Sequence, residues 1–315
     1  MLLSIVIPVY NSQQTIENLV EQLLGKELED ELEIVLVDDF SQDDSAQICE
    51  DLAKRFRGSV VFLQLARNFG QHNAIMAGLA HTTGERVVLM DDDFQHPPDA
   101  VQLLNDTMRS GEFDVVYSRN VQKKNRAWRN AGSWFNNLAS TILLKKPYSL
   151  YLSSFKIMSR FAVDQVLRYR GPFPYIDGLL LQSVGKIGTV IVPHDERRAG
   201  NSSYTLSKLF SLWLNTFTNF SVVPLRLAFF LGLFGFVAGL ALVGILVFER
   251  FYQSGLPIGY LAQMTTLVFF SSTILIVTGL VGEYVGRILI HVNGKPQFVV
   301  RRLVAEGEDQ PAKVS

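Results

Sequence analysis

A single cysteine, Cys49, in 315 residues excludes a disulfide framework and a thiolate metal cluster. It falls in a helical pattern and reads as a small buried hydrophobe. Net charge is also scarce: 29 basic against 30 acidic residues leave −1, so bulk charge makes no case for nucleic acid as a partner. No Gly-x-Gly-x-x-Gly follows the first apolar run and no P-loop occurs, which argues against a dinucleotide cofactor and against that mode of phosphate binding. The opening Leu2-Leu3-Ser4-Ile5-Val6-Ile7-Pro8 has no basic stretch before it and is short, so it reads as a first strand rather than a secretory signal. The soluble part of the chain is accordingly expected in the cytosol. No internal repeat or low-complexity tract is present.

Apolar residues are abundant, at 48%, but unevenly spread. Residues 227–248 and 261–282 are two runs free of charge, each 22 residues long. A bilayer core takes about 20 apolar residues per helix, so both runs are expected to span. Arg226 precedes the first, Arg287, Lys295, Arg301 and Arg302 follow the second, and the loop between holds only Arg250 beside Glu249. That bias predicts both ends of the pair, and with them the soluble unit and both termini, on the cytosolic side. Residues 203–221 mix Tyr204, Leu209, Phe210, Trp213 and Phe217 with polar positions, as a helix lying in the interface would. The expected organisation is a soluble unit 1–202, an interfacial region 203–221, a membrane pair within 222–291 and a cytosolic tail 292–315.

Within the soluble unit, short apolar runs alternate with helical patterns. Strands are expected at Leu3–Val9, Glu33–Val37, Val60–Leu65, Arg86–Met90 and Asp114–Tyr117. Ile16, Leu19, Val20, Leu23 and Leu24 keep the spacing of an amphipathic helix. Ser41-Gln42-Asp43-Asp44 has the form of a capping box for a second helix running to about Phe56. Further helices fit about Gln71–His81 and Pro98–Arg109. The alternation predicts an α/β fold with a mainly parallel sheet, whose ligands bind at the carboxyl ends of the strands.

Polar residues collect at those ends. Met90-Asp91-Asp92-Asp93-Phe94-Gln95-His96 follows the fourth run, and the alternate spacing of Asp91, Asp93 and Gln95 predicts two carboxylates and an amide oxygen able to converge on one hard cation, Mg²⁺ or Mn²⁺. His96 reads as a local hydrogen-bonding residue. Pro8-Val9-Tyr10-Asn11 ends the first strand, Asp38-Asp39-Phe40-Ser41 the second, and Arg67-Asn68-Phe69-Gly70-Gln71-His72-Asn73 the third. From Val115 to Val163 the chain has nine Lys or Arg and no acid, Arg119 and Arg129 among them. Guanidinium groups there suit a phosphate.

These segments resemble family 2 glycosyltransferases of the GT-A fold, and within them the branch that acts on polyprenyl phosphates. The resemblance covers essentially residues 3–303. Gln71-His72-Asn73-Ala74-Ile75-Met76-Ala77-Gly78 and Gly282-Glu283-Tyr284-Val285-Gly286-Arg287 look most like the transferases for modified arabinose and for glucose. The resemblance implies a GT-A (Rossmann-like) domain followed by interfacial helices and a two-helix membrane hairpin. It implies transfer of one sugar from a nucleotide-sugar, with UDP preferred to GDP, to an undecaprenyl or dolichyl phosphate, with inversion. A role in cell-envelope glycan modification, such as that of lipopolysaccharide or O-antigen, and assembly as a homo-oligomer, a tetramer in related enzymes, come with it.

Carried over position by position, Pro8, Tyr10, Asn11, Asp39, Arg67, Asn68, Gly70 and Asp92 would surround the nucleotide-sugar. Asp91, Asp93 and Gln95 would hold the metal. Arg119, Arg129, Ser133, Arg197 and Ser203 would grip the acceptor phosphate, the family usually showing Lys at or beside Ser203. Relatives place an acid shortly before a Phe-Lys pair, whereas Tyr151-Leu152-Ser153-Ser154-Phe155-Lys156 has none. Asp177 is then either a substitute base or, the preferred reading, a structural carboxylate. Gln165-Val166-Leu167-Arg168-Tyr169 imitates a signature of processive polysaccharide synthases but lacks its Trp, and two spans are too few for a polymer channel. A catalytically dead membrane scaffold is the other alternative, and the intact acidic turn argues against it.

Overall fold

The computed structural model describes residues 2–26, 29–94, 96–120, 150–192, 260–294, 296–305 and 308–311, with separate helical positions between 228 and 248. Two units result: one comprising residues 1–204 and 295–315, the other 205–294.

The first unit is built on β1 (Leu2–Val9), α1 (Ile16–Leu24), β2 (Glu31–Asp38), α2 (Ser45–Arg55), β3 (Val60–Leu65), α3 (Gln71–Ala80), β4 (Arg86–Leu89), α4 (Asp99–Ser110) and β5 (Val115–Asn120). It continues with β6 (Lys156–Ser159), α5 (Arg160–Val166), α6 (Ile176–Ser183) and β7 (Ile187–Val192), and returns after the second unit as β8 (Val300–Ala305) and β9 (Glu308–Pro311). The strands form one sheet in the order β7-β5-β6-β4-β1-β2-β3-β8-β9. The block β4-β1-β2-β3 is parallel, as the strand-helix alternation predicts. Its strands read as continuous apolar runs because helices bury both faces. Ile5, Ile7, Ile34, Leu36 and Val88 are fully buried on one side with Leu19, Leu23, Val101 and Leu104 from the helices. On the other side α3 lies so close to β1 that a Cβ on Gly78 would collide with Val6.

Antiparallel strands flank this block, and the sequence patterns did not mark them. β6 pairs with β4 and β5, and β8 pairs with β3 in the stretch 292–315 expected to be a tail. Arg302 on β8 reaches Glu50 of α2, which also holds Lys54 at one helical turn. A second difference concerns the start of α2. Ser41 makes no cap, the helix begins four residues later, and Asp43 Oδ1 accepts from the Ser45 amide at 3.1 Å and hydroxyl at 2.6 Å.

In the second unit, α7 (Tyr260–Val292) runs 33 residues, longer than the 22 expected, and its window Phe269–Gly286 is long and apolar enough to cross a membrane. Its apolar residues are spread around the helix rather than gathered on one face, with Glu283 and Arg287 in its last third. It stops where Gly294 takes φ +60° and Pro296 follows, a left-handed exit that glycine permits at no steric cost. The interfacial region 203–221 and most of the first run, 227–248, lie outside the described residues. The described positions of that run are helical.

Candidate active site

Four consecutive strands of the parallel block end side by side, and each is followed by a residue in left-handed backbone: Asn11 at φ 55°, Phe40 at 64°, Gly70 at 91° and Phe94 at 58°. Glycine and asparagine tolerate this region, but two phenylalanines there are strained. Burying the Phe94 ring in the core offsets part of its cost.

Side chains tie the four loops into a closed ring. Between the first and second, Asn11 N–H donates to Ser41 Oγ at 3.0 Å, Gln42 N–H to Asn11 Oδ1 at 2.8 Å, and Ser12 N–H to Ser45 Oγ at 2.7 Å. Between the second and third, Asp39 accepts the amides of Phe69 at 2.7 Å and Gly70 at 2.8 Å. Between the third and fourth, Gln71 Nε2 donates to Asp91 Oδ1 at 2.8 Å. Between the first and fourth, the Ser12 hydroxyl donates to Asp92. Such mutual fixing holds an acidic turn in place before any ligand arrives.

The ring gathers three adjacent carboxylates, Asp91, Asp92 and Asp93. Asp92 is pushed up to about 6 by burial, against the lowering bond from Ser12, with the charges of Asp91 and Asp93 adding smaller upward pushes. Burial likewise raises Asp38 and Asp39 despite the amide bonds they accept. A cation between Asp91 and Asp93 relieves this repulsion, so the donor set fits a hard divalent ion. No cluster of three or more His, Cys, Asp or Glu poised for a metal exists among the described residues. Gln95, the third expected ligand, lies outside the described residues.

The other expected residues divide by position. Pro8 is the next-to-last residue of β1, Tyr10 is half exposed beyond the strand, and Arg67 and Asn68 are exposed on the third loop, with the Arg67 guanidinium 4.6 Å from the Phe69 ring centre. Asp39, expected near the base or ribose, spends both oxygens on loop backbone and is buried. Arg119 is exposed near the end of β5, two strands from β4, about 10 Å across the sheet. Arg129, Ser133, Arg197 and Ser203 lie outside the described residues. The pattern reading gave Ser12, Ser41 and Gln71 no part in the site, and their contacts span 20 to 80 residues of sequence.

Behind the turn lies a buried polar cluster. Lys156, the register partner of Leu89 at the end of β4, pairs with Asp177, which also accepts the Tyr117 hydroxyl at 3.0 Å. Burial drives the Tyr117 hydroxyl far above its usual range, with Asp177 adding to the effect. Burial pulls His72 down, and its ring meets Tyr175 edge-on at 5.4 Å. Asp177 is thus a structural carboxylate holding a lysine in the sheet, as the preferred reading had it. His96 is buried and stacks on Phe155 at 4.6 Å.

Known proteins match this architecture. Residues 4–167 match the glycosyl transferase family 2 model, and residues 223–288 match the GtrB C-terminal hairpin. The chain belongs to glycosyltransferase family 2. Similar relatives run its whole length. The undecaprenyl-phosphate 4-deoxy-4-formamido-L-arabinose transferase of Proteus mirabilis is 32% identical over 98% of this chain and 95% of its own. The transferase of the same name from Pseudomonas syringae is 33% identical over 96% and 90%. Among solved structures, glucosyl-3-phosphoglycerate synthase of Mycobacterium tuberculosis, in complex with Mn²⁺, UDP and phosphoglyceric acid, superposes with TM-score 0.51 at 18% identity, covering 69% of this chain and 76% of that one. That likeness carries the GT-A-like fold. This family 2 glycosyltransferase therefore has its acidic turn where the fold places ligands, at the carboxyl edge of the parallel block.

Proposed function

We propose that this glycosyltransferase moves one sugar from a UDP-sugar to a polyprenyl phosphate at the cytosolic face of a bilayer, with inversion at the anomeric carbon. The observation that carries the reading is the ring of cross-linked loops, which fixes Asp91 at the strand ends with an excess of negative charge beside it. Full-length similarity to undecaprenyl-phosphate sugar transferases supports the acceptor class, and the Mn²⁺–UDP and Mg²⁺–UDP complexes of fold relatives support the donor and the ion. The hairpin match and α7 support the membrane setting. Two spans, both termini in the cytosol and a homo-oligomer are part of the same proposal.

An acceptor phosphate has a second pKa of about 6 and is already nucleophilic at neutral pH. The protein's task is then to orient two anions and offset their repulsion. Asp91 and Asp93, with Gln95, would hold Mg²⁺ or Mn²⁺, which when bound neutralises charge on the departing diphosphate. Tyr10, Asn11, Arg67, Asn68 and Gly70 line the nucleotide side. Arg119 and Arg129, with Ser133, Arg197 and Ser203, would hold the acceptor phosphate. A phosphate oxygen forms the new bond to the anomeric carbon as the bond to the diphosphate breaks, so no side chain need take a proton. Asp177, committed to Lys156 and Tyr117, is withdrawn from that role.

The test is a donor panel of labelled nucleotide-sugars, 4-formamido-pentose and hexose donors included, offered with a divalent ion and a short polyprenyl phosphate. A lipid-linked monosaccharide of inverted configuration is expected. A polymer, a retained configuration or no turnover with any donor would sink the reading.

A further inference from the structure

The segment Arg168–Tyr175, which links α5 to α6, has no part in the chemistry above, yet its composition is unusual for a loop. Arg168, Arg170 and Phe173 are exposed, Phe173 by 47%, and neither arginine makes an ion pair among the described residues. Pro172 and Pro174 flank the phenylalanine and stiffen it, and the Tyr169 hydroxyl donates to Phe173 O at 3.2 Å. The loop stands at the carboxyl edge, because Tyr175 meets His72 in the first turn of α3 and Asp177 meets Lys156 beside the end of β4. Gln297 Nε2 donates to Gly171 O at 2.8 Å. Gln297 follows Val292, the last residue of the apolar helix α7, by five positions in the chain. An exposed aromatic shortly after two exposed arginines, hydrogen-bonded to a segment that follows an apolar helix in the chain, has the chemistry of a membrane interface.

We propose that the Arg168–Tyr175 loop is a foot on the bilayer, Phe173 entering the boundary between headgroups and acyl chains while Arg168 and Arg170 bind anionic lipid phosphates. The inference rests on the reading that this chain works on a lipid acceptor at a bilayer, and it adds the surface on which the catalytic unit stands. Arg168 and Tyr169 belong to the stretch that imitates the polysaccharide-synthase signature, so its residues have a use here that involves no polymer.

The full-length protein supplies its own control. Phe161, in the first turn of α5, is 55% exposed but stands at the opposite edge, where the Arg160 amide donates to Glu85 O at 2.9 Å. A Cys49→Ala background leaves single cysteines at Phe173→Cys or Phe161→Cys for an environment-sensitive fluorophore. After reconstitution in vesicles of phosphatidylethanolamine and phosphatidylglycerol, the label at 173 is expected to be shielded from aqueous iodide and the label at 161 open to it. In the Arg168→Gln/Arg170→Gln protein that shielding weakens, and the acceptor KM in anionic vesicles rises by about fivefold per arginine, with kcat and donor KM unchanged. Equal iodide access at both positions overturns the foot. Shielding at 173 that is indifferent to both the double variant and the anionic lipid overturns the part assigned to the arginines. The fluorescence needs neither donor nor acceptor, so a failed transfer assay with shielding intact counts against the proposed function alone.

Discussion

The two edges of the parallel block both bury carboxylates, and they treat them in opposite ways. At the amino edge Glu33 accepts the Ser4 hydroxyl, the Thr83 amide at 2.9 Å and the Thr83 hydroxyl at 2.8 Å. Asp30 beside it takes Asn105 Nδ2 at 2.6 Å and Arg86 at 3.1 Å, and these partners outweigh the burial that alone would raise it, leaving it below the ordinary range. At the carboxyl edge Asp92 receives one serine hydroxyl, faces two more carboxylates and stands near 6. One edge satisfies its acids with protein donors and holds the fold. The other keeps an electrostatic deficit that a substrate complex can fill, and perturbation of that kind gathers at functional sites.

Substitutions should separate the edges cleanly. Asp91→Ala is expected to lower transfer by about a thousandfold or more while leaving the melting temperature within a few degrees, since it removes a ligand and relieves repulsion. A comparable loss of stability would place Asp91 with the structural acids instead. Arg86→Met should do the reverse. Breaking a buried pair leaves Asp30 uncompensated and costs about 3–5 kcal/mol, read as a lower denaturation midpoint. At a temperature where the variant stays folded its kcat should match the parent. Between these extremes, Gln71→Leu removes the side-chain amide that donates to Asp91 and should weaken divalent-ion affinity by about 10- to 100-fold, measured as the ion concentration for half-maximal rate.

How far the sequence made this contrast legible depends on the range of the interaction. β1 to β5 and α1 to α4 follow from runs and spacings within one element, and their observed bounds differ from expectation by a few residues at most. β6 is four residues long, and β8 carries Arg301 and Arg302 where a strand pattern would be apolar, so neither announces itself. The acidic turn was visible because its carboxylates are adjacent in the chain. Its cross-links were not, because Ser12 and Asp92 lie 80 residues apart and serines at strand ends are ordinary. Asp39 shows the limit from the other side: its residue type and place were evident, whereas its grip on two loop amides is a property of how β2 and β3 end together.

The subtlest difference between the edges is in pH. Asp92 has a folded value near 6, above the usual carboxylate value near 3.8, so its ionisation opposes folding. Its penalty is absent below about 3.8, grows as pH rises, and is complete above 6. Asp30 has a depressed folded value, so its contribution is present above the unfolded pKa and fades as pH falls through the folded one. Metal-free protein should therefore gain stability between pH 7 and 5 at the carboxyl edge before acid begins to undo the amino edge. Asp92→Asn should remove that gain and raise stability at pH 7 by about 1–2 kcal/mol, less than the full shift would give because the side chain is only partly buried. Added Mg²⁺ should offset the same penalty in the parent and do little in the variant. Melting curves at pH 5 and 7, with and without the ion, measure all four corners, and parallel pH profiles for parent and Asp92→Asn would show that the deficit lies elsewhere.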